Sequence, residues 1–248
     1  MSGAALALRQ IGYENRAFWR NPPAAFFTFA FPLLFMVIFN VLFGADASRF
    51  FTPAIMVFGV VTATYTNLAM TVTIARDEGI LKRLRGTPLP GWAYLAGRIG
   101  HAILVALLLV VIVAGFGALV YGVEVPWEQL PAVLLVLAVA AAAFSALGLA
   151  VSGLIPNADA APAVVNATIL PVLFISNVFF QMDAAPEWLD AVSHALPTRH
   201  FADAMLGFYG LGDTAGGGMP WMQIGLIAGW GVIGAAAAMR FFRWEPSR

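Results

Sequence analysis

The chain has 248 residues, 61% of them apolar and 10% charged, with thirteen basic side chains balancing thirteen acidic ones and no cysteine. Soluble domains carry roughly 45–50% apolar and about 25% charged residues, so this chain has too little polar surface to cover a water-exposed sphere, and its lack of thiols excludes disulfide scaffolds, iron–sulfur clusters and thiolate zinc sites. A bilayer core of ~30 Å needs about 20 helical residues per crossing, so this length and a mean hydropathy of +0.85 leave room for about six spans and for no second soluble domain.

Residues 1–24 hold Arg9, Arg16 and Arg20, which share one helical sector, beside a sector of Ala4, Leu8, Ile11, Phe18 and Trp19. This pattern predicts a helix lying in the membrane interface, ended by Asn21-Pro22-Pro23, and it lacks the compact apolar region of a cleaved signal peptide. Hydropathy windows then predict six spans at 26–43, 53–74, 99–121, 130–155, 161–180 and 221–239, followed by a tail at 240–248. The expected fold is therefore an all-α polytopic membrane protein forming one transmembrane domain. Eleven of the thirteen basic residues fall in the N-terminus, the 75–98 loop and the tail. The other side holds Arg49 and Arg199 among Asp46, Glu124, Glu128, Asp183, Glu187, Asp190, Asp203 and Asp213, and the positive-inside rule places both termini in the cytoplasm.

The loop at 75–98 carries Arg76-Asp77-Glu78-Gly79-Ile80-Leu81-Lys82-Arg83-Leu84-Arg85, with Ile80, Leu81 and Leu84 at helical spacing, and stops at Gly86 and Pro88. Two readings are open: a basic loop that only sets topology, or a helix that docks on a cytoplasmic partner. Lys82 is the sole lysine and is followed by Arg83, so no Walker A loop exists in this sequence.

This stretch resembles the membrane subunits of ATP-binding-cassette transporters of the type-2 (ABC-2) class, whose pattern R-x-E-G-x-L-K-R-L-R-x-T-P-L is matched from Arg76 to Leu89. Asn157-Ala158-Asp159 leading into Asn166, Pro171 and Ser176, and Pro186-Glu187-Trp188 followed by Leu196-Pro197, resemble the family's fifth span and its extracellular re-entrant segment, here 181–220. Two positions depart from the family: Asn177, where a glycine usually follows the serine, and Gln181, where proline is common. The resemblance implies the permease half of an exporter in the bacterial cytoplasmic membrane, pairing with a second permease subunit as homodimer or heterodimer and with a dimer of ATPase subunits that bind ATP and magnesium. It implies no nucleic-acid partner and no cofactor in this chain. Arg76, Asp77, Glu78, Gly79, Lys82, Arg83 and Arg85 become the residues expected to couple to the ATPase. The alternative is an ATP-independent channel or a non-transporting membrane scaffold with a docking loop.

Within the spans, Thr64, Asn67 and Thr71 sit at spacings that share one face of an α-helix, and Asn166 and Asn177 are isolated amides. These five are candidates for a translocation path for an apolar or amphipathic drug, lipid or lipid-linked glycan, or else they serve hydrogen bonding between helices. The absence of acidic or basic residues in mid-span favours an externally powered transporter over an ion-driven carrier. Gly225 with Gly229, and Gly148 with Ser152, are small-residue pairs expected to pack inside the subunit. Asp190, His194, His200 and Asp203 have a spacing compatible with zinc, but capping or surface roles are the expectation.

Overall fold

The computed structural model describes residues 3–87, 89–179, 186–212, 218–242 and 244, without the side chains of Ala45 and Arg85. Among the described residues every regular element is helical. Helix α1 (Gly3–Trp19) lies along α6 (Gly91–Tyr121). The approach is close because α6 offers glycines: a Cβ added at Gly97 would meet the Gln10 side chain at 2.3 Å, and one at Gly100 would meet Ile11 at 2.5 Å. The Asn21-Pro22-Pro23 break also starts the next helix. Asn21 Oδ1 accepts a hydrogen bond from the Ala24 amide at 3.4 Å, and the prolines occupy the first turn of α2 (Pro22–Phe43), where their missing N–H groups are not needed.

Helices α3 (Ser48–Val61) and α4 (Asn67–Asp77) form one continuous 30-residue span joined by a π-helical turn at Thr62–Thr66. After the short α5 (Ile80–Arg85), α6 and α7 (Leu130–Ser152) cross the bundle, α8 (Ala161–Phe174) and α9 (Glu187–His194) follow, α10 (Pro197–Phe208) dips into it, and α11 (Trp221–Phe241) packs along α7. Among the described residues, five helical segments are long and apolar enough to cross a bilayer. The fifth predicted span, 161–180, is realised differently: α8 has 14 residues, or ~21 Å at 1.5 Å each, short of a ~30 Å hydrocarbon core. Pro171 lies inside its last turn, and Asn177 takes a positive φ of 59° that turns the chain away from the helix axis.

The core is centred on α3 and the buried faces of α6, α7 and α10, with Phe144 and Phe201 fully enclosed and their rings 6.1 Å apart. The outward faces carry exposed Phe26, Val41, Leu119, Val232 and Met239, an apolar exterior that suits acyl chains and not water. Exposed tryptophans lie near both ends of the spans, Trp19 and Trp92 at the end rich in arginine, Trp127 and Trp221 at the other, as expected of side chains that favour the two interfaces.

Small residues set the tightest contacts, at positions only partly foreseen. A Cβ at Gly148 would lie 2.7 Å from the Tyr65 carbonyl, so that glycine is an internal contact as expected. Gly225 and Gly229 have nothing within 4 Å of an added Cβ, and their expected internal role is corrected: α11 meets α7 through Gly231 and Gly234, which lie on another face.

Candidate functional site

The charged end of the bundle is built around the α4–α5 turn. Gly79 adopts φ +71°, a left-handed conformation that lets the chain reverse within two residues of α4 and start α5. The apolar stripe of α5 turns inward: Leu81 is fully buried, and Ile80 and Leu84 pack with it in a cluster that includes Leu68, Tyr94 and Ala238. Burying that stripe leaves Glu78, Lys82 and Arg83 exposed on the opposite face, with Arg83 Nη2 donating to the Glu78 carbonyl at 3.3 Å. Pro88 and the Arg85 side chain fall outside the described residues.

Arg76 has a different place from its neighbours. Its side chain is buried, with Nη1 donating to the Ser152 carbonyl at 2.8 Å and Nη2 donating to the Ile155 carbonyl. Asp77, one residue on and exposed, accepts a hydrogen bond from the Ala158 amide at 3.0 Å. Both residues therefore clamp the end of α4 to the loop between α7 and α8. Sequence spacing grouped Arg76 with the surface charges because a guanidinium bound to carbonyls and one bound to a partner look alike in a string of residues. The end of helix α7, with its unsatisfied carbonyls, is the signal that could have located it.

The five path candidates do not converge. The π turn bonds the Asn67 amide to the Thr62 carbonyl, five residues back, so the register on either side shifts by about one residue, ~100°. Thr64 is consequently buried, its hydroxyl donating to the Val60 carbonyl at 2.6 Å, while Asn67 and Thr71 line a cleft together with Thr62. The expected shared face thus becomes Thr62, Asn67 and Thr71. Asn166 is exposed on α8, and Asn177 donates from its amide to Asp203 Oδ1 at 3.3 Å. Tyr65, in the same turn, pairs its hydroxyl with that of Thr168 on α8 at 2.8 Å, a link that no sequence pattern indicated.

At the other end, α9 and α10 are stitched by their own side chains. Arg199 Nε donates to Asp203 Oδ2 at 2.9 Å and Nη1 lies 3.8 Å from Asp190, while His200 Nε2 is 2.8 Å from the His194 carbonyl. His194 Nδ1 faces the Asp190 carbonyl at 2.9 Å. No group of three ligating side chains is gathered there among the described residues. Gln181, Asp183 and Asp213 lie outside those described.

Apolar helices of spanning length, a helix tucked back into the bundle and a charged helix clamped at one end define a polytopic α-helical membrane protein of the transporter type. Residues 10–209 match the ABC-2 type transporter family, and the chain belongs to that family as a membrane-embedded permease subunit. The daunorubicin resistance ABC transporter permease protein DrrB1 of Streptomyces coeruleorubidus is 29% identical over 244 residues, covering 86% of this chain and 77% of that protein. The inner membrane transport permease YadH of Escherichia coli (strain K12) is 23% identical over 190 residues, 73% of each chain, and its counterpart in Shigella flexneri matches to the same extent.

Proposed function

We propose that this chain is the permease half of an ATP-driven exporter in the bacterial cytoplasmic membrane, with both termini cytoplasmic. It works with a second permease subunit and a dimer of ATPase subunits that bind and hydrolyse ATP. The observation that carries this reading is the mounting of α5. Its apolar stripe is locked into the bundle, its charged face of Glu78, Lys82 and Arg83 points out, and Arg76 and Asp77 tie the preceding turn to the α7–α8 loop. A push on the charged face is transmitted as a rigid displacement to α4, α7 and the start of α8 rather than being absorbed by a slack loop. The transported compound is apolar or amphipathic, in keeping with the aromatic wall of Phe27, Phe31 and Phe58 in the cleft between α2 and α3 and with the drug named in the relative from Streptomyces coeruleorubidus.

Charge reversal at Glu78, Lys82 and Arg83 tests it. The variants insert normally, because these side chains lie outside the apolar spans, and they lose co-purification of the ATPase or ATP-dependent export. Removing one partner of a desolvated interfacial pair costs ~2–5 kcal/mol and a rim charge much less, so the three reversals differ in severity. Glu124→Lys, at the opposite end of α6, is the control. Full ATP-dependent export by all three reversals replaces this reading with that of a channel or scaffold.

A further inference from the structure

The span formed by α3 and α4 is interrupted at Thr62–Thr66 by a π-helical turn, a rare geometry that carries one extra residue and occurs mostly at functional sites. Nothing in Thr62-Ala63-Thr64-Tyr65-Thr66 forces it, since the segment holds neither proline nor glycine. Contacts from other helices hold it instead. Gly148 of α7 leaves room for the Tyr65 backbone, where an added Cβ would lie 2.7 Å from the carbonyl oxygen and 3.1 Å from Cα, and the Tyr65 hydroxyl meets that of Thr168 on α8 at 2.8 Å.

The extra residue is trapped between two fixed ends. Every residue of α3 except Arg49 is buried, so that half of the span is gripped on all sides, and Arg76 pins the far end of α4 to the Ser152 and Ile155 carbonyls. The turn cannot leave the span, but it can move along it. Its softer direction is α4, where Asn67, Met70 and Thr71 are half-buried and Ile74 is exposed. Each residue that the turn passes over rotates by about 100° relative to α3.

The polar side chains suit either position. With the turn at 62–66, Thr62 lines the cleft with Asn67 and Thr71; with the turn beyond Thr71, ordinary α-helical spacing puts Thr64 on the face of Asn67 and Thr71 instead. The hydroxyls of Thr64, Thr71 and Thr73 each donate to the carbonyl four residues back in their own helix, at 2.6, 2.8 and 2.8 Å. Rotation therefore strands none of them in the apolar interior.

We propose that the π turn is a moving joint: during the transport cycle its extra residue shifts from 62–66 into α4, turning Asn67 by about 100° from the cleft toward the side on which Thr64 lies. This rests on the permease reading, which supplies the displacement of α4 against an immobile α3 that the joint takes up. The bond between Tyr65 and Thr168 is the latch that holds the turn at 62–66, and its release frees the short α8 in the same step.

The chain has no cysteine, so Thr62→Cys and Asn67→Cys report on the joint without further substitution. The full chain with its ATPase in lipid nanodiscs is reacted with N-ethylmaleimide, either free of nucleotide or trapped with ATP and vanadate, and labelling is read on the separated permease. Asn67→Cys changes its rate by about tenfold or more between the two states and Thr62→Cys by less than about twofold, because the turn passes over only the first. Deleting Ala63 removes the extra residue while keeping α3 and α4 in their present phase, and that variant inserts, co-purifies the ATPase and loses export. If the deletion variant fails to fold, the cysteine pair decides alone. Equal changes at both positions, no change at either, or full export by the deletion variant overturns the joint and leaves the permease reading standing. A wild-type complex without ATP-dependent export overturns the permease reading and the joint with it.

Discussion

Arg76 and Ser152 are joined across 76 positions of sequence by a hydrogen bond of 2.8 Å from guanidinium to carbonyl, at the point where α7 ends. The same guanidinium bonds the Ile155 carbonyl. A helix end leaves carbonyls without intrahelical partners, and a planar, permanently charged fork satisfies one of them, that of Ser152, together with the carbonyl of Ile155 in the loop that follows. The bond fixes the base of α5 relative to the loop that begins α8.

Arg76→Met leaves two buried carbonyls unpaired, a loss of ~1–3 kcal/mol for each. Arg76→Lys restores the charge but not the fork, and recovers part of the loss. Thermal unfolding followed by tryptophan fluorescence in detergent ranks the wild type above the lysine variant and the lysine above the methionine variant. Equal midpoints for all three would show that the clamp contributes nothing.

At Gly79 the left-handed φ of +71° sets a graded expectation. Alanine in that region costs ~1–2 kcal/mol, a mild loss. Proline cannot reach this φ at all, and it also removes the amide that donates to the Arg76 carbonyl at 3.0 Å. Gly79→Pro therefore disrupts the α4–α5 turn and abolishes ATP-dependent export, while Gly79→Ala retains most of it. An export rate for the proline variant equal to that of the alanine variant contradicts this.

Much of this end of the molecule was legible in the sequence. The spacing of Ile80, Leu81 and Leu84 predicted a short amphipathic helix, and Gly86 marked its end, because one apolar stripe and one glycine are local signals. What lay beyond reach was which face that stripe would meet. It packs on Tyr94 and Ala238, residues 10 or more positions away, so the exposed surface is the charged face alone. Thr64 shows the other limit: the phase of a helix was extrapolated through residues 62–66, where an i→i−5 bond adds a residue to the turn without any proline or glycine to announce it. The shortened α8 did have local markers, Pro171 and the glycine-like Asn177, but a hydropathy window averages over both.

Asn177 holds a φ of 59°, in the left-handed region that glycine enters most freely. Asparagine is among the few residues that visit this region readily. Asn177→Gly and Asn177→Val both lose the bond to Asp203, so comparing them isolates the backbone. The valine variant falls below the glycine variant by ~1–2 kcal/mol in unfolding free energy, and identical stabilities would remove the conformational explanation.

The glycines of α11 separate close packing from open surface within a single helix. At Gly234 an added Cβ lies 2.8 Å from the Leu147 backbone nitrogen, and a backbone atom of α7 cannot rotate aside as the tip of a side chain can. Gly234→Ala must therefore push α11 away from α7, an overpacking cost of ~1–3 kcal/mol that extends to Gly231, whose Cβ would meet Ala143 at 3.0 Å. Gly229 has open space on the same helix, and Gly229→Ala adds helix propensity of up to ~1 kcal/mol with no contact to offend. The two substitutions have the same chemistry and lie five positions apart on the same helix, so shared effects of lipid or detergent cancel in the comparison. Unfolding midpoints measured in one detergent should fall for Gly234→Ala and hold or rise for Gly229→Ala. If both fall together, the face bearing Gly229 is packed against protein rather than lipid, and the pairing of α11 with α7 through Gly231 and Gly234 no longer accounts for the role of its glycines.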